Sequence, residues 1–342
     1  MPYSTTELLP AVKRYRNGRE FVAFLTMLFC PRVITFGTKT VQMDKVLRNK
    51  VAAPFVSPLI AGKVQRQQGF ATYEYQPPYV KPKDAVEPEQ FMERLAGEDL
   101  YGTMSPADRL NLTRMDLISK QYDSIAIREE IMVAEMIQSG QITCVSEEHP
   151  LHVIDFEPDA ANNITLTGAA RWSQLSADSS QPVEDLETWA DACKVAPNVL
   201  LFGSNKAYRK FASFNEIKET IDNQINETSG SGFNLAASTG EYIQRKGTYG
   251  DYQLIVYTGA YDDEQGNSVR LLDENRMIMC SSSNQGAILY GAIQDLGAMM
   301  PMARYPKNWT QEDPSMEFVM TQSAPLPVLP SINDIVSVDL GD

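Results

Sequence analysis

Apolar positions recur at helical spacing through a long central stretch of the chain that begins at Ser105 and ends at Gly140. One face of this stretch would be lined by Leu110, Leu117, Ile118, Ile125, Met132 and Met136. Ser105 is a favourable N-cap, Pro106 suits the first helical position, and Gly140 supplies a C-terminal stop. We therefore predict one uninterrupted α-helix over 105–140, about 50 Å long. A helix of this length is typical of a spine across which other segments lie.

Alternating polar and apolar residues indicate a β-hairpin in the proline-rich stretch before the helix. The alternation covers Gly62–Arg66 and Phe70–Gln76, with a polar turn at Gln67–Gly69. Few residues of such a hairpin could build a core, and an isolated two-stranded hairpin is only marginally stable in water. Two interpretations stay open: a surface hairpin folded on its own domain, or a projecting arm that lies on another subunit.

Residues 1–47 form a predicted N-terminal unit with two short helices, Thr5–Val12 and Arg19–Leu28. The second helix and the residue after it carry an apolar face made of Phe21, Phe24, Leu25, Leu28 and Phe29. So small and apolar a segment needs a surface to bury against. Its own domain and a neighbouring chain are both candidates.

Strands are predicted on both sides of a central α/β block. Those before the block are Gln141–Val145, Leu151–Phe156 and Asn162–Thr167. The block itself consists of helix Val183–Lys194, buried strand Asn198–Phe202, and helices Asn205–Phe211 and Asn215–Ile225. The later strands are Tyr242–Arg245, Tyr252–Tyr257, Val269–Leu272, Arg276–Cys280, Met316–Ser323 and Ile335–Leu340. This order predicts an α+β protein in which one domain is inserted into a discontinuous outer domain.

Composition narrows the classes of function. The 342 residues favour about two domains, and the formal net charge of −14 disfavours tight nucleic-acid binding. The four cysteines are widely spaced, which predicts neither a zinc site nor a disulfide framework. Basic residues before the apolar run Phe21–Phe29 resemble a lipoprotein signal peptide. We do not expect one, because Glu20 places a charge at the start of the run and Phe29 stands where a small residue should precede the cysteine. We expect no membrane span, because no apolar run is long enough.

The sequence gives only weak indications of a catalytic or metal-binding site. The two histidines, His149 and His152, follow a pair of glutamates, but their spacing matches no helical zinc motif. There is no nucleophile-elbow motif, and the paired carboxylates at Asp262-Asp263 and Glu129-Glu130 are interpreted as solvated faces. We therefore expect no enzyme activity, metal or cofactor. A metal-dependent hydrolase using the two histidines is the remote alternative.

Several peptide stretches resemble the phage lambda-like family of major capsid (head) protein E. They are Phe55–Gly62 through Tyr79–Lys83, Asn162–Thr165 with Trp172-Ser173 and Asp185–Trp189, Lys246–Asp251 with Ile255–Gly259, and Ala303–Trp309 followed by Gln322–Leu326. Their order agrees with the family over nearly the whole chain. The N-terminal segment, the Ser/Gly-rich loop near 229–232 and the region 299–302 depart from it.

The resemblance implies the tailed-phage capsid fold of the Hong Kong 97 type. Its expected parts are an N-terminal arm (1–47), an extended β-hairpin loop (48–88), a peripheral domain (89–150 and 310–342) with spine helix 105–140, and an axial domain (151–309). The implied function is an icosahedral head shell around double-stranded DNA, built in the bacterial cytoplasm. An encapsulin-like compartment, which encloses protein cargo, is the runner-up.

The resemblance also implies partners and contact residues. The partners are copies of the chain in pentamers and hexamers, a scaffolding protein, a portal and a decoration protein. DNA would be enclosed without sequence-specific binding, and no membrane is involved. The expected inter-subunit residues are Phe55, Arg66, Gln68, Phe70, Tyr73, Tyr75 and Tyr79 of the extended loop and Phe21, Phe24 and Leu28 of the arm. Arg304, Tyr305, Lys307 and Trp309 are expected at the domain junction. For Trp309 a structural role is favoured over stacking on nucleic acid.

Overall fold

The computed structural model describes residues 23–46, 52–53, 55, 58, 70–92, 104–146, 149–221, 242–263, 265–298 and 300–341. Its helices are α1 (Phe24–Phe29), α2 (Pro88–Met92), α3 (Pro106–Ser139), α4 (Gln181–Ala192), α5 (Asn205–Phe211) and α6 (Asn215–Thr220). Its strands are β1 (Arg32–Thr35), β2 (Val41–Val46), β3 (Phe70–Tyr75), β4 (Lys83–Val86), β5 (Gln141–Ser146), β6 (His149–Asp155), β7 (Asn163–Thr165), β8 (Val199–Phe202), β9 (Ile243–Tyr249), β10 (Tyr252–Tyr257), β11 (Ala260–Asp262), β12 (Ser268–Arg270), β13 (Arg276–Cys280), β14 (Ala287–Tyr290), β15 (Tyr305–Gln311), β16 (Met316–Gln322), β17 (Pro325–Val328) and β18 (Val336–Asp339).

The predicted long helix is confirmed as α3, which has 34 residues. At its start the Ser105 hydroxyl accepts the Asp108 backbone N–H at 3.2 Å. At its end Gly140 adopts a left-handed conformation with φ of 74° and donates its N–H to the Met136 carbonyl at 2.9 Å. Both ends are therefore determined by local residues, as N-cap and C-cap chemistry requires.

The two halves of α3 pack against different layers. The N-terminal half lies under the three-stranded sheet β15-β16-β4, where Ile118 packs with Val86 and Val319. The C-terminal half enters the main core, where Val133 and Met136 are fully buried among residues of α1, β14 and β17. One helix thus spans two hydrophobic cores.

A six-stranded mixed sheet with the order β7-β18-β13-β8-β10-β9 forms the central layer. Its strand β8 is buried on both faces, as predicted for Asn198–Phe202. Leu200 and Phe202 face the core that contains Trp172 and helices α4 to α6, whereas Val199 and Leu201 face the main core shared with α3. The sheet therefore joins the α/β block to the spine helix.

The remaining strands form smaller sheets. A three-stranded sheet has the order β1-β14-β17, and three two-stranded sheets pair β2 with β3, β5 with β6, and β11 with β12. Prolines 325 and 327 lie in β17, an edge strand, which is where proline is tolerated in a sheet. Among the described residues, none of the helices is long and apolar enough to cross a membrane.

Two expectations about boundaries differ from the structure. Strand Phe70–Tyr75 exists, but it pairs with Val41–Val46, which the sequence placed in the N-terminal unit 1–47. The expected partner Gly62–Arg66 lies outside the described residues. At the other end, β18 pairs with β13 and β7, so the last strand belongs to the central sheet and not to the outer domain expected for 310–342. Both differences arise from pairing between strands that are distant in the sequence. The local pattern of polar and apolar residues carries no information about such pairing.

Candidate functional site

Two adjacent carboxylates of α3, Glu129 and Glu130, are buried, with 4% and 0% of their surface exposed. The interpretation of this pair as a solvated face is therefore wrong. Neighbouring helix positions point about 100° apart, so both are enclosed only because α3 is covered on several sides here. Ile131–Ala134, which follow directly, are all buried as well. Buried carboxylates need hydrogen-bond partners, and each of these two holds a different set.

Glu130 caps the N-terminus of α1. Its Oε1 accepts the Leu25 N–H at 2.7 Å, and its Oε2 accepts the Thr26 N–H and hydroxyl, both at 2.8 Å. The residue at the N-cap position, Ala23, has no side chain that could do this, so a distant carboxylate satisfies the free N–H groups of the helix. The Tyr257 hydroxyl also donates to Oε1, at 3.1 Å. Burial raises the pKa of Glu130 above its ordinary value, and these hydrogen bonds offset only part of the rise.

Glu129 ties α3 to the segment around β14 and β15. Its Oε1 accepts the Tyr290 hydroxyl at 2.8 Å, and its Oε2 accepts Arg304 Nη2 at 2.9 Å. The Arg304 guanidinium also lies 5.1 Å from the ring centre of Tyr122. Burial raises the pKa of Glu129, and Arg304 counteracts part of that rise.

The other expected junction residues lie on β15. The Lys307 ammonium pairs with Asp295 at 2.9 Å, and Tyr305 is buried. Trp309 is half-buried and stacks on Phe318 of β16, with ring centres 5.5 Å apart. The Lys83 ammonium lies 5.3 Å from the Trp309 ring and 4.0 Å from the Phe318 ring. A stacking base would have to compete with Phe318 and Lys83 for the faces of this indole.

The extended-loop residues are only partly brought together. Tyr73 donates to Glu157 at 3.0 Å and stacks on Tyr75, which in turn contacts Phe156 with ring centres 5.8 Å apart. The β2–β3 ribbon is thus anchored at its base on the residues that follow β6. Phe55 is fully exposed. Phe70 lies in β3, and Arg66 and Gln68 lie outside the described residues.

Tyr79 lies away from this ribbon. Its hydroxyl donates to the Gln322 side chain and accepts the Gln294 N–H at 3.2 Å. Gln322 also donates to Asp295, the partner of Lys307, at 3.0 Å. Tyr79 therefore belongs to the junction network of its own chain.

The N-terminal residues require a correction. Phe24 and Leu28 were expected to contact a neighbouring subunit, but both are completely buried in the core of their own chain. Phe24 stacks on Tyr257 with ring centres 5.5 Å apart. A side chain without exposed surface cannot contact a neighbouring subunit. Phe21 lies outside the described residues.

The two histidines proposed as metal ligands both lie on strand β6. His152 lies opposite Cys144 in the β5–β6 hairpin, and His149 lies near the turn. Within the described ranges, no group of three or more His, Cys, Asp or Glu side chains is placed to hold a metal ion.

Sequence reasoning missed the buried carboxylate pair. A usable signal was present, because Glu129 and Glu130 directly precede four consecutive apolar residues, Ile131–Ala134. A helix that is apolar all round is buried all round, so this run indicates a helix segment that is covered on every side.

Comparison with known proteins gives consistent similarities. The family model described as phage major capsid protein E matches residues 4–340. The major capsid protein of Escherichia phage lambda is 33% identical over 346 residues, covering 99% of each chain. That of Escherichia phage N15 is 32% identical over 348 residues, again covering 99% of each. Among solved structures, a putative prophage capsid protein from Escherichia coli CFT073 is 28% identical, covers 100% of both chains and has a TM-score of 0.78.

Proposed function

The chain belongs to the phage major capsid protein E family, and from this membership we propose that it builds the icosahedral head shell around the double-stranded DNA of a tailed phage. The observation that carries the proposal is the end-to-end similarity to the major capsid protein of phage lambda, over 99% of both chains. The fold is that of tailed-phage capsid proteins. The relatives are structural capsid proteins, which favours a structural role over an enzymatic one.

We propose that each part of the chain has the structural role that the corresponding part has in that fold. Residues 1–47 act as the N-terminal arm, 48–88 as the extended loop, 89–150 and 310–342 as the peripheral domain, and 151–309 as the axial domain. Because β2 pairs with β3 and β18 pairs with β13, we propose two refinements of this division: β2 serves the extended loop, and β18 serves the axial domain.

Assembly into pentamers and hexamers would rest on many small contacts. A loop or arm that touches one neighbour weakly gains strength when several such contacts act together, since each linked contact raises the effective concentration of the next. The ribbon with Tyr73 and Tyr75 is held at its base by Glu157 and Phe156, which leaves the loop beyond it to reach a neighbour.

The scaffolding protein, portal and decoration protein are proposed as further partners. DNA would be enclosed without sequence-specific contacts, in agreement with the net charge of −14. Trp309 fits this view, because Phe318 and Lys83 already lie against its ring. The shell would assemble in the host cytoplasm and become the virion capsid after maturation.

Deletion of Gly62–Tyr75 tests the proposal. The variant should remain folded, because none of the buried hydrophobic residues of the described core lies in the deleted stretch, but it should form no shells. The matched control Tyr73→Phe removes the hydroxyl that donates to Glu157, keeps the aromatic ring and should still assemble. Normal particles from the deletion variant would contradict the proposed role of the loop.

The same purified samples distinguish the shell function from its two alternatives, an encapsulin-like compartment and a metal-dependent hydrolase. Particles that contain protein cargo and never DNA would favour the encapsulin-like compartment. A monomer that carries one equivalent of metal would favour the remote hydrolase that uses His149 and His152.

A further inference from the structure

The three-stranded sheet β1-β14-β17 has a buried edge strand, β17, and a solvent-exposed edge strand, β1. All residues of β14 and β17 are buried, whereas all residues of β1 are exposed. Val33 and Ile34 expose 61% and 41% of their surface, although both are apolar. Since consecutive strand residues point to opposite faces, β1 exposes an apolar side chain on each face. The core of the chain gives no reason for apolar residues here.

Among the described residues, one edge of the β1 backbone pairs with no other strand. Towards β14, the Arg32 N–H donates to the Gly286 carbonyl at 3.4 Å, and the Phe36 N–H donates to the Tyr290 carbonyl at 2.8 Å. Alternate residues of a strand direct their N–H and C=O groups to the same side, so Val33 and Thr35 direct theirs away from β14. In the part of the chain that the structure describes, no strand lies on that side.

Two features that keep edge strands apart are present here, a length of only four residues and Pro31 directly before the strand, but bulges and a row of charges are absent from β1. Proteins usually protect such strands with prolines, bulges or charges. The register of β1 on β14 is regular from Arg32 opposite Ala287 to Thr35 opposite Tyr290, and β1 contains no proline. Arg32, at its first position, is its only charged residue. An exposed edge with a regular register and apolar side chains is a template for another strand.

Charge indicates what kind of strand fits. The segment 31–43 contains Arg32 and Lys39 and no acidic residue, although the chain as a whole carries a net charge of −14. A basic and apolar segment on an acidic protein is complementary to the surface of another copy of the same protein. The segment also leads directly from α1 into the β2–β3 ribbon, the base of the extended loop.

We propose that the open edge of β1 pairs with an extended segment of a second copy of this chain, which adds a strand beside Val33 and Thr35 during assembly. The inference rests on the proposed shell function. It specifies backbone hydrogen bonds across a subunit boundary, with apolar contacts to Val33 and Ile34 and a carboxylate of the neighbour near Arg32.

Hydrogen exchange at single-residue resolution tests the pairing directly. The full chain is compared in its unassembled and assembled forms. The amide of Ile34 faces β14 and should be protected in both forms, whereas the amides of Val33 and Thr35 should become at least about tenfold slower on assembly. Equal exchange of Val33 and Thr35 in both forms would overturn the proposal.

Proline variants give a second, independent test. Val33→Pro and Thr35→Pro each remove one outward N–H while keeping the contacts of β1 with β14. Both should retain the circular dichroism of the wild type and lose at least about tenfold in particle yield, since each removes a hydrogen bond repeated at every such boundary. The control Val33→Thr keeps the N–H and should assemble more efficiently than Val33→Pro.

The outcomes separate this inference from the proposed function. If wild-type particles form and both folded proline variants assemble at wild-type yield, the β1 pairing is wrong and the shell function stands. If the wild type forms no particles under any condition, both are wrong. Should a proline variant fail to fold, the exchange measurement on the wild type decides.

Discussion

The carboxylate of Glu130 accepts the backbone N–H of Leu25 at 2.7 Å, although 105 positions separate the two residues. Through this contact the spine helix supplies the N-terminal cap that α1 lacks. The neighbouring Glu129 holds Arg304, just before β15, by a side-chain ion pair at 2.9 Å. Two consecutive residues of α3 therefore hold both the start of α1 and the segment that leads from β14 to β15.

Replacement of Glu130 by glutamine should destabilise the unassembled chain by about 1–3 kcal/mol, since one buried donor loses its acceptor. Glutamine keeps one oxygen, but its amide nitrogen would face a backbone N–H of Leu25 or Thr26. Urea unfolding measures the change. The control Asp116→Asn alters an exposed carboxylate of the same helix, paired with Lys120 at 2.8 Å, and should cost less than about 1 kcal/mol. Equal effects of the two substitutions would contradict the capping role.

The stability that Glu130 contributes should fall as pH rises. Burial raises its pKa in the folded chain above the ordinary 4.5, so the folded state holds a proton that the unfolded state has already lost. The free energy of unfolding therefore decreases with rising pH from the ordinary value up to the raised one. The difference in unfolding free energy between wild type and Glu130→Gln should be smaller at about pH 8 than at about pH 5. A difference that grows with pH would show that the pKa is lowered instead.

Arg114→Met should cost about 3–5 kcal/mol, because it leaves a buried carboxylate without its counter-charge. Arg114 donates to both oxygens of Glu317, at 2.8 and 2.6 Å, and both residues are buried. In the double variant Arg114→Met with Glu317→Gln, the charge is gone and Asn308 keeps an acceptor. Thermal unfolding should show that the double variant is more stable than Arg114→Met alone. The reverse order would contradict this account of the pair.

Gly140→Ala should be more destabilising than Gly168→Ala. Both glycines have positive φ, 74° and 58°, so alanine is strained at each by roughly 1–2 kcal/mol. At Gly140 a Cβ would also lie 2.4 Å from Pro158 Cγ, whereas nothing lies within 4 Å at Gly168. The overlap should add about 1–3 kcal/mol at Gly140, measured by thermal unfolding. Equal losses at the two positions would mean that Pro158 moves aside freely.

Particular residues show what the sequence could and could not predict. Ser105 and Gly140 define the ends of α3 by contacts within one helical turn, so both ends were predictable. The partner of β1 lies about 250 positions later in the chain, and a four-residue strand holds no local signal for such a pairing. Strands β14 and β17 escaped prediction for the same reason, whereas β15 escaped it although its partner β16 follows directly in the chain.

The candidate site also depends on contacts between residues that are distant in the sequence. The apolar face of the N-terminal segment is confirmed at Phe24, Leu25, Leu28 and Phe29, but whether it packs on its own chain or on a neighbour depends on tertiary packing. Similarly, Glu130 resembles any surface glutamate until α1 is placed on top of it. Recognition of the family relied instead on extended peptide stretches such as Ala303–Trp309, which carry information that periodicity does not.

Electron microscopy of the full chain, expressed in bacteria alone and together with the scaffolding protein of its own phage, tests the central claim most directly. Negative staining should show closed, regular shells, and sedimentation should place the protein in the megadalton range. A well-folded chain that stays monomeric or forms only small oligomers in both expressions would contradict the assignment as a shell subunit.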